Sequence, residues 1–157
     1  MKNEQQFMMA AIEQSLIAIK GKKGGPFGAV VVKNGIIIGS GYNQVTKLND
    51  PTAHAEIVAI RAACKALKSF QLDGCEIYTS CEPCPMCMGA IYWARPSKVY
   101  YANTKKDAAD AGFDDQFIES EFELPPAERK IPMIQFMREE AIHAFEEWKA
   151  KENKINY

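Results

Sequence analysis

Hydrophobic residues follow a helical period at the start of the chain and a strand-like pattern soon afterwards. Residues 7–20 carry apolar side chains in rows spaced three or four apart, which predicts an amphipathic helix. Residues 27–33 are rich in β-branched side chains and lead into Asn34-Gly35, a strong signal for a two-residue hairpin turn. Residues 36–42 have the pattern of the returning strand, so we expect a β-hairpin here.

The middle of the chain alternates between predicted helices and strands. Residues 43–50 are a polar stretch, and Asp50 and Pro51 are residue types typical of an N-cap and of a first helical position. We therefore predict a helix over about residues 51–68 and a strand over residues 76–80. A second helix is predicted from Pro85 to about Trp93, and a further strand over residues 98–102.

The order of these elements predicts the fold class. After α-β-β-α-β-α-β, a short strand at residues 134–137 and a helix over residues 138–151 are expected. Helices long enough to be crossovers separate the later strands, which favours parallel pairing between them. The predicted fold is α/β: a three-layer α/β/α sandwich with a mixed, about five-stranded sheet. Residues 1–157 are expected to form a single domain.

Composition and charge narrow the class of protein. The chain is 47% hydrophobic and 25% charged, with a net charge of −1, as in ordinary globular proteins and without the basic surplus of a nucleic-acid-binding protein. We see no apolar leader and no run long enough to cross a bilayer, so we expect neither secretion nor a membrane partner. The five cysteines are an odd number, which favours reduced thiols and a cytoplasmic location. Cys64 and Cys75 lie in apolar patterns and are expected in the core.

Two short stretches carry the residue types of a catalytic zinc centre. His54 lies in Pro-Thr-Ala-His-Ala-Glu, and Cys84 and Cys87 lie in Cys-Glu-Pro-Cys-Pro-Met-Cys. The two cysteines are three apart at a predicted helix start, so both sulfurs face one side, where the positive helix end favours thiolates. Three protein ligands leave one position of a zinc tetrahedron open for water, whose pKa zinc lowers to about 7. Glu56 is the candidate general acid and base.

The same residues admit other interpretations. Cys81 could complete a closed Cys3His site without catalysis, and a Cys-x-x-Cys pair could serve redox chemistry. Against the closed site, Cys81 comes before the turn at Pro83, and closure would leave Glu56 without a role. There is also a geometric difficulty, because residues two apart on a regular helix, such as His54 and Glu56, do not share a face.

The sequence resembles a known superfamily at these residues. His-x-Glu followed by Pro-Cys-x-x-Cys, with 29 residues between His54 and Cys84, is the signature of zinc nucleobase deaminases. The chain resembles the cytidine deaminase-like superfamily and, within it, the bacterial guanine deaminases over nearly its whole length. The similar stretches are residues 24–30, 49–56, 78–87, 90–96 and 111–115.

The resemblance implies an activity and a set of site residues. It implies one catalytic zinc per chain, bound by His54, Cys84 and Cys87, and hydrolytic deamination of guanine to xanthine and ammonia. Glu56 would transfer the proton to the leaving amine. The substrate-binding residues that it implies are Asn43, which would hydrogen-bond the purine, Phe27 and Trp93, which would pack on it, and Asp115, which would bind the guanine edge and assist proton transfer.

The resemblance also implies an assembly. The related enzymes exchange their C-terminal segment between subunits, so a homodimer is expected in which about residues 120–157 are exchanged. Tyr157 would then enter the active site of the partner.

Other functions remain open on the sequence. Four of the five similar stretches also resemble tRNA adenosine deaminases and cytosine deaminases, which makes those substrates the main alternatives. Editing of tRNA needs a surface for phosphates, for which Lys22-Lys23 and Lys105-Lys106 are candidate basic pairs. A zinc-stabilised binding domain without catalysis is the alternative from another class.

Overall fold

The computed structural model describes residues 2–156, which form two compact units that divide between Asp115 and Gln116. The helices of the first unit are α1 (Lys2–Lys20), α2 (Val45–Leu48), α3 (Ala55–Leu67), α4 (Pro85–Ala94) and α5 (Lys105–Asp110). Its strands are β1 (Gly28–Lys33), β2 (Ile36–Tyr42), β3 (Cys75–Cys81) and β4 (Lys98–Asn103). The second unit contains α6 (Gln116–Glu123), a single 3₁₀ turn (Pro126–Glu128) and α7 (Arg138–Ala150). None of the described helices is long and apolar enough to cross a membrane.

A mixed sheet with the strand order β2-β1-β3-β4 forms the centre of the first unit. The strand β1 pairs antiparallel with both β2 and β3, whereas β3 and β4 pair in parallel through the crossover helix α4. The hairpin between β1 and β2 turns at Asn34 and Gly35, whose φ angles of 51° and 75° are those of a type I′ turn. The hairpin and the parallel pair predicted from the sequence are therefore confirmed.

Helices cover both faces of this sheet. Val30, Val32 and Tyr78 point to one face, where they pack with Ala11 of α1. The alternate residues Ala29, Val31 and Ile77 point to the other face, in the core cluster that includes residues of α3 and α4. Because successive residues of a strand point to opposite faces, strands buried on both sides read as continuous apolar runs. The predicted three-layer α/β/α arrangement is confirmed.

Small residues bring α3 very close to the sheet. The face of α3 that meets the sheet consists of Ala55, Ala59 and Ala63, all fully buried. A Cβ atom on Gly41 of β2 would collide with the carbonyl oxygen of Ala55 and lie 2.6 Å from the nitrogen of Ala59. Glycine is therefore required at position 41 for this approach, and the approach fixes where the first turn of α3 lies.

The start of α3 differs from the prediction. The helix begins at Ala55 with His54 as its N-cap, rather than at Pro51 with Asp50 as its N-cap. Asp50 instead caps a local turn, since its Oδ1 accepts hydrogen bonds from the amide and hydroxyl of Thr52 at 2.8 and 2.7 Å. The short polar side chain of Asp50 thus satisfies the backbone of the turn before the helix can begin.

The predicted strand at residues 134–137 is also absent from the described structure, so the sheet has four strands rather than about five. A strand needs a neighbouring strand for its backbone hydrogen bonds, and none lies in the second unit. Ile134 and Phe136 are instead 84% and 83% exposed. The last helix, α7, forms within one residue of its predicted bounds.

Candidate metal centre

Three ligand atoms from two separate helix starts converge in the first unit. The Nδ1 of His54 and the Sγ atoms of Cys84 and Cys87 all lie within 4.8 Å of one another. His54 Nδ1 is 3.5 Å from Cys84 Sγ and 3.6 Å from Cys87 Sγ. In a tetrahedral zinc site with Zn–S of about 2.3 Å and Zn–N of about 2.1 Å, sulfur and nitrogen ligands are about 3.6 Å apart. The cluster therefore fits zinc in both donor type and spacing.

Helix capping places two of these ligands. His54 and Cys84 are the N-caps of α3 and α4, with extended φ/ψ values of −69°/157° and −67°/167°. Pro85 follows as the first residue of α4, and the amide of Cys87 donates to the Sγ of Cys84 at 3.5 Å. The two helix N-termini direct their partial positive charge into one site, which favours thiolates.

The charges of the cluster suit a divalent cation. The Cys87 side chain and amide, aided by His54, lower the pKa of Cys84 to about 4. The neighbouring Cys84 and burial raise the pKa of Cys87, which therefore keeps its proton. The hydrogen bond to Cys84 also raises the pKa of His54. Zinc would take the place of these protons, because thiolate and neutral imidazole are the ligand forms.

Glu56, the second residue of α3, lies beside the metal ligands. Its side chain is only 6% exposed, its Oε2 is 3.4 Å from Cys87 Sγ, and its Oε1 accepts a hydrogen bond from the Thr79 hydroxyl at 3.1 Å. Burial raises the pKa of Glu56, which suits a group that takes up and returns a proton. Although His54 and Glu56 are only two residues apart, both can face one site, because His54 is an extended N-cap that lies outside the helix.

Cys81 is not part of the ligand cluster. Its Sγ is buried and points to the carbonyl oxygen of Thr104 at 3.5 Å. Burial raises the pKa of Cys81 to about 11, so this sulfur stays a thiol at neutral pH. The closed Cys3His alternative is therefore not supported. Cys75 belongs to the main core cluster, as predicted, and the partly buried Cys64 packs against it.

A cleft of about 370 Å³ opens onto the metal ligands, a size typical of small-molecule sites. The predicted residues Phe27, Asn43 and Asp115 line it together with His54 and Glu56. Phe113 lines it as well and meets the ring of Phe27 edge to face, with centroids 5.0 Å apart and planes at 85°. The cleft thus has an aromatic wall beside a carboxylate, an amide and the metal ligands.

The orientation of Asn43 decides which hydrogen bonds it can offer. Its Oδ1 accepts hydrogen bonds from the amides of Gly25 and Val45 at 3.2 and 3.3 Å, and the residue is only 7% exposed. The Nδ2 amine, a donor, is the part that remains for a ligand. Gly24 is required beside it, because a Cβ there would collide with the carbonyl oxygen of Asn43.

The segment that carries Phe113 and Asp115 is anchored to the metal-binding loop. The amide of Glu82 donates to the carbonyl of Asn103 at 2.8 Å, and Glu82 Oε2 accepts from the amide of Lys105 at 3.2 Å. Thr104 and Asp107 then start α5 with a complete capping box. These bonds fix the position of α5 and of the loop that follows it.

One predicted substrate residue, Trp93, is not brought into the cleft. Trp93 is 63% exposed near the end of α4 and is absent from the described lining of the cleft. It lies six residues beyond Cys87, or about 9 Å further along the helix axis. Tyr157 lies outside the described residues. The roles of both remain predictions.

The sequence reasoning missed two residues of this site. Phe113 had a signal, since it lies in the Gly-Phe-Asp-Asp stretch, but no role was assigned to it. Thr79 had no local signal, because its contact with Glu56 joins residues 23 apart. Only the tertiary structure, which packs α3 on the sheet, brings these two side chains together.

Comparisons with known proteins agree with this geometry. The family described as "Cytidine and deoxycytidylate deaminase zinc-binding region" matches residues 1–103. The guanine deaminase of Bacillus subtilis is 53% identical over 99% of both chains, and an X-ray structure of guanine deaminase from that organism superposes with a TM-score of 0.95 over 98% of both chains. A tRNA-specific adenosine deaminase of Aquifex aeolicus is 47% identical, but over only 52% of this chain and 54% of its own.

Proposed function

The chain belongs to the cytidine and deoxycytidylate deaminase zinc-binding family and is a zinc-dependent aminohydrolase, and we propose that its substrate is guanine, which it converts with water to xanthine and ammonia. The observation that carries the proposal is the His/Cys/Cys cluster with a buried carboxylate beside it, in a cleft of base-binding size. Full-length identity of 53% to a guanine deaminase supports the choice of base.

Glu56 is the proton carrier of this reaction. Zinc held by His54, Cys84 and Cys87 supplies Lewis acidity that lowers the pKa of water to about 7. Glu56 takes a proton from the attacking water and delivers it to the amine that leaves C2 of the purine. A carboxyl whose pKa is raised by burial can exist in both protonation states during one turnover, as this role requires.

The polarity of the cleft favours guanine over adenine. Asn43 presents a donor, which suits the purine acceptors O6, N7 or N3, and Asp115 presents a carboxylate acceptor, which suits N1–H and the 2-amine of guanine. Adenine has a lone pair at N1, which would repel a carboxylate. Discrimination therefore comes from the loss of these matched donor and acceptor contacts when the wrong base binds.

Aromatic side chains contribute binding without selecting the base. Phe27, supported edge-on by Phe113, offers a ring at the wall of the cleft. Stacking on such a ring is available to every base. The packing of Trp93 on the substrate is a further part of this proposal, with its support in the sequence resemblance alone.

The test is turnover of a nucleobase panel by zinc-loaded protein. We expect ammonia and xanthine from guanine, and little or no ammonia from adenine, cytosine or adenosine in tRNA. Glu56→Gln should keep the fold and the zinc but lose at least about 100-fold in turnover, the lower range for a positioned acid and base. Glu13→Gln, an exposed carboxylate on α1, is the matched control and should retain turnover. Zinc-loaded protein that leaves guanine intact would refute the substrate, and full activity of Glu56→Gln would refute the mechanism.

We also propose a cytoplasmic homodimer in which about residues 120–157 are exchanged. Five free cysteines support a reducing compartment. Both units expose large apolar side chains, for example Tyr92 and Trp93 in the first unit and Phe136 and Phe145 in the second. Exposed aromatic residues in such numbers are typical of surfaces that a partner covers.

A further inference from the structure

The side chain of Thr79 makes a buried contact with Glu56 that the reaction described above does not use. Thr79 lies on β3, is 1% exposed, and donates its hydroxyl to Glu56 Oε1 at 3.1 Å. We infer that Thr79 is a positioning residue, whose hydroxyl holds the Glu56 carboxyl so that Oε2 faces the metal ligands. This inference rests on the proposed role of Glu56 in deamination.

The two carboxyl oxygens of Glu56 have different surroundings. Oε1 faces the Thr79 hydroxyl, and Oε2 faces Cys87 Sγ at 3.4 Å, on the side of the metal ligands. A donor on Oε1 leaves Oε2 as the oxygen that exchanges the proton. The bond suits both states of the carboxyl, because Oε1 is an acceptor whether Oε2 carries a proton or not.

Thr79 is well suited to this role because it is held rigidly. Its strand is hydrogen-bonded on both sides, with Thr79 paired to Ala29 of β1 and to Tyr101 of β4. Threonine is β-branched, so its χ1 rotation is restricted. Glu56, by contrast, has a long side chain with several rotatable bonds. A fixed hydroxyl therefore selects one orientation of a flexible carboxyl.

The Cys87 side chain, which contacts Glu56 Oε2, cannot hold the carboxyl in the same way once zinc is bound. The Cys87 thiol that points to Oε2 gives up its proton when zinc binds, because zinc takes the thiolate. Among the contacts described for Glu56, the hydroxyl of Thr79 is the side-chain donor that metal binding leaves intact. Thr79 thus remains, together with the backbone amide of Glu56, to orient this carboxyl when the metal is bound.

The experiment compares Thr79→Val, which replaces the hydroxyl by a methyl group, with Thr79→Ser, which keeps the hydroxyl. We expect Thr79→Val to lose about 10- to 100-fold in kcat, the usual range for a supporting hydrogen bond. KM for guanine, zinc content and Tm should stay close to wild type, and Thr79→Ser should recover most of kcat. Ser15→Ala, which removes another buried hydroxyl, on α1 and outside the described lining of the cleft, is the control and should keep wild-type kcat.

A double-mutant cycle tests whether Thr79 acts through Glu56. In the Glu56→Gln background, Thr79→Val should lower the residual turnover by less than about twofold, because coupled residues are not additive. If Thr79→Val folds poorly, Thr79→Ala is compared with Thr79→Ser instead. We then expect the kcat of Thr79→Ala to be about tenfold lower than that of Thr79→Ser.

The outcomes separate this inference from the function on which it rests. Wild-type kcat in Thr79→Val, equal damage in Thr79→Ser and Thr79→Val, or a full additional loss in the Glu56→Gln background would each overturn the positioning role while guanine turnover by the wild type stands. A wild-type enzyme without nucleobase turnover would overturn the proposed function itself.

Discussion

At the scale of single residues, the metal ligands hold protons that zinc must displace. Cys84 is a thiolate near neutral pH, whereas Cys87 keeps its proton. The pKa of His54 is raised above 6.5 by its hydrogen bond to Cys84, so its imidazole stays protonated to a higher pH than an ordinary histidine. Zinc affinity is therefore linked to pH through His54 and Cys87.

We expect the zinc affinity of the metal-free protein to fall as the pH is lowered from 8 to 6. Each proton that zinc displaces weakens apparent binding by about tenfold per pH unit below the pKa of its group. Competition with a chromophoric chelator across this pH range measures the slope. An affinity that does not change with pH would contradict the charge states assigned to His54 and Cys87.

The same titration distinguishes the ligands from Cys81. Cys81→Ala should bind one zinc per chain with wild-type affinity, because this sulfur points to Thr104 and stays a thiol. Cys87→Ala should lose tight binding. Loss of zinc from Cys81→Ala would restore the closed Cys3His alternative.

At the scale of elements, the active site is built from two helix starts. The sequence predicted that α4 begins at Pro85, and the structure confirms this start. Asp50 and Pro51 gave an equally good signal for α3, which was wrong by four residues because Asp50 binds Thr52 in a turn. The difference has a chemical consequence, since His54 can share a site with Glu56 only from outside the helix.

The close approach of α3 to β2 is a second feature at this scale, and Gly41→Ala tests it. The added Cβ would collide with the Ala55 carbonyl, at the turn that carries His54 and Glu56. We expect a loss of about 1–3 kcal/mol in unfolding free energy, as for overpacking, together with reduced kcat. Urea unfolding and turnover are the measurements.

Gly89→Ala is the matched control for that change. Gly89 is exposed within α4, and nothing lies within 4 Å of a Cβ placed there. Alanine should stabilise the helix by about 0.5–1 kcal/mol and leave turnover intact. Equal stability of Gly41→Ala and wild type would contradict the close packing of α3 on β2.

At the scale of the whole molecule, the chain divides into a unit that holds the metal ligands and cleft and a second, C-terminal unit. The second unit exposes Ile131, Ile134 and Phe136, each by more than 80%. Isolated apolar side chains on a surface are ordinary, but several in succession are not. A role in assembly with a second copy of the chain would account for them.

Deletion of residues 153–157 tests the role of the chain end. We expect kcat/KM for guanine to fall by about tenfold or more, with Tm nearly unchanged, if the end completes an active site rather than a core. Light scattering on the same samples gives the oligomeric state, which we expect to be a dimer. Wild-type kinetics of the truncated protein would reduce Tyr157 to packing, and a monomeric wild type would exclude the exchange.

Local patterns accounted for much of the fold. The hairpin at Asn34-Gly35 and the helix start at Pro85 follow from turn and capping preferences of a few neighbouring residues. The short strand expected at residues 134–137 had apolar residues but no neighbour to pair with. Strand formation depends on a partner that local sequence does not reveal.

The sequence by itself predicted the chemistry, with His54, Cys84 and Cys87 as zinc ligands and Glu56 as the proton carrier. The His-x-Glu and Pro-Cys-x-x-Cys stretches carry this prediction through their resemblance to the signature of zinc nucleobase deaminases. Only the tertiary structure decided how they are arranged: that His54 caps α3, that Asn43 offers a donor, and that Thr79 donates a hydrogen bond to Glu56. The physical reason is that the contacts of Asn43 with Gly25 and of Thr79 with Glu56 join residues distant in sequence, whereas at His54 two local signals competed and the turn at Asp50 prevailed.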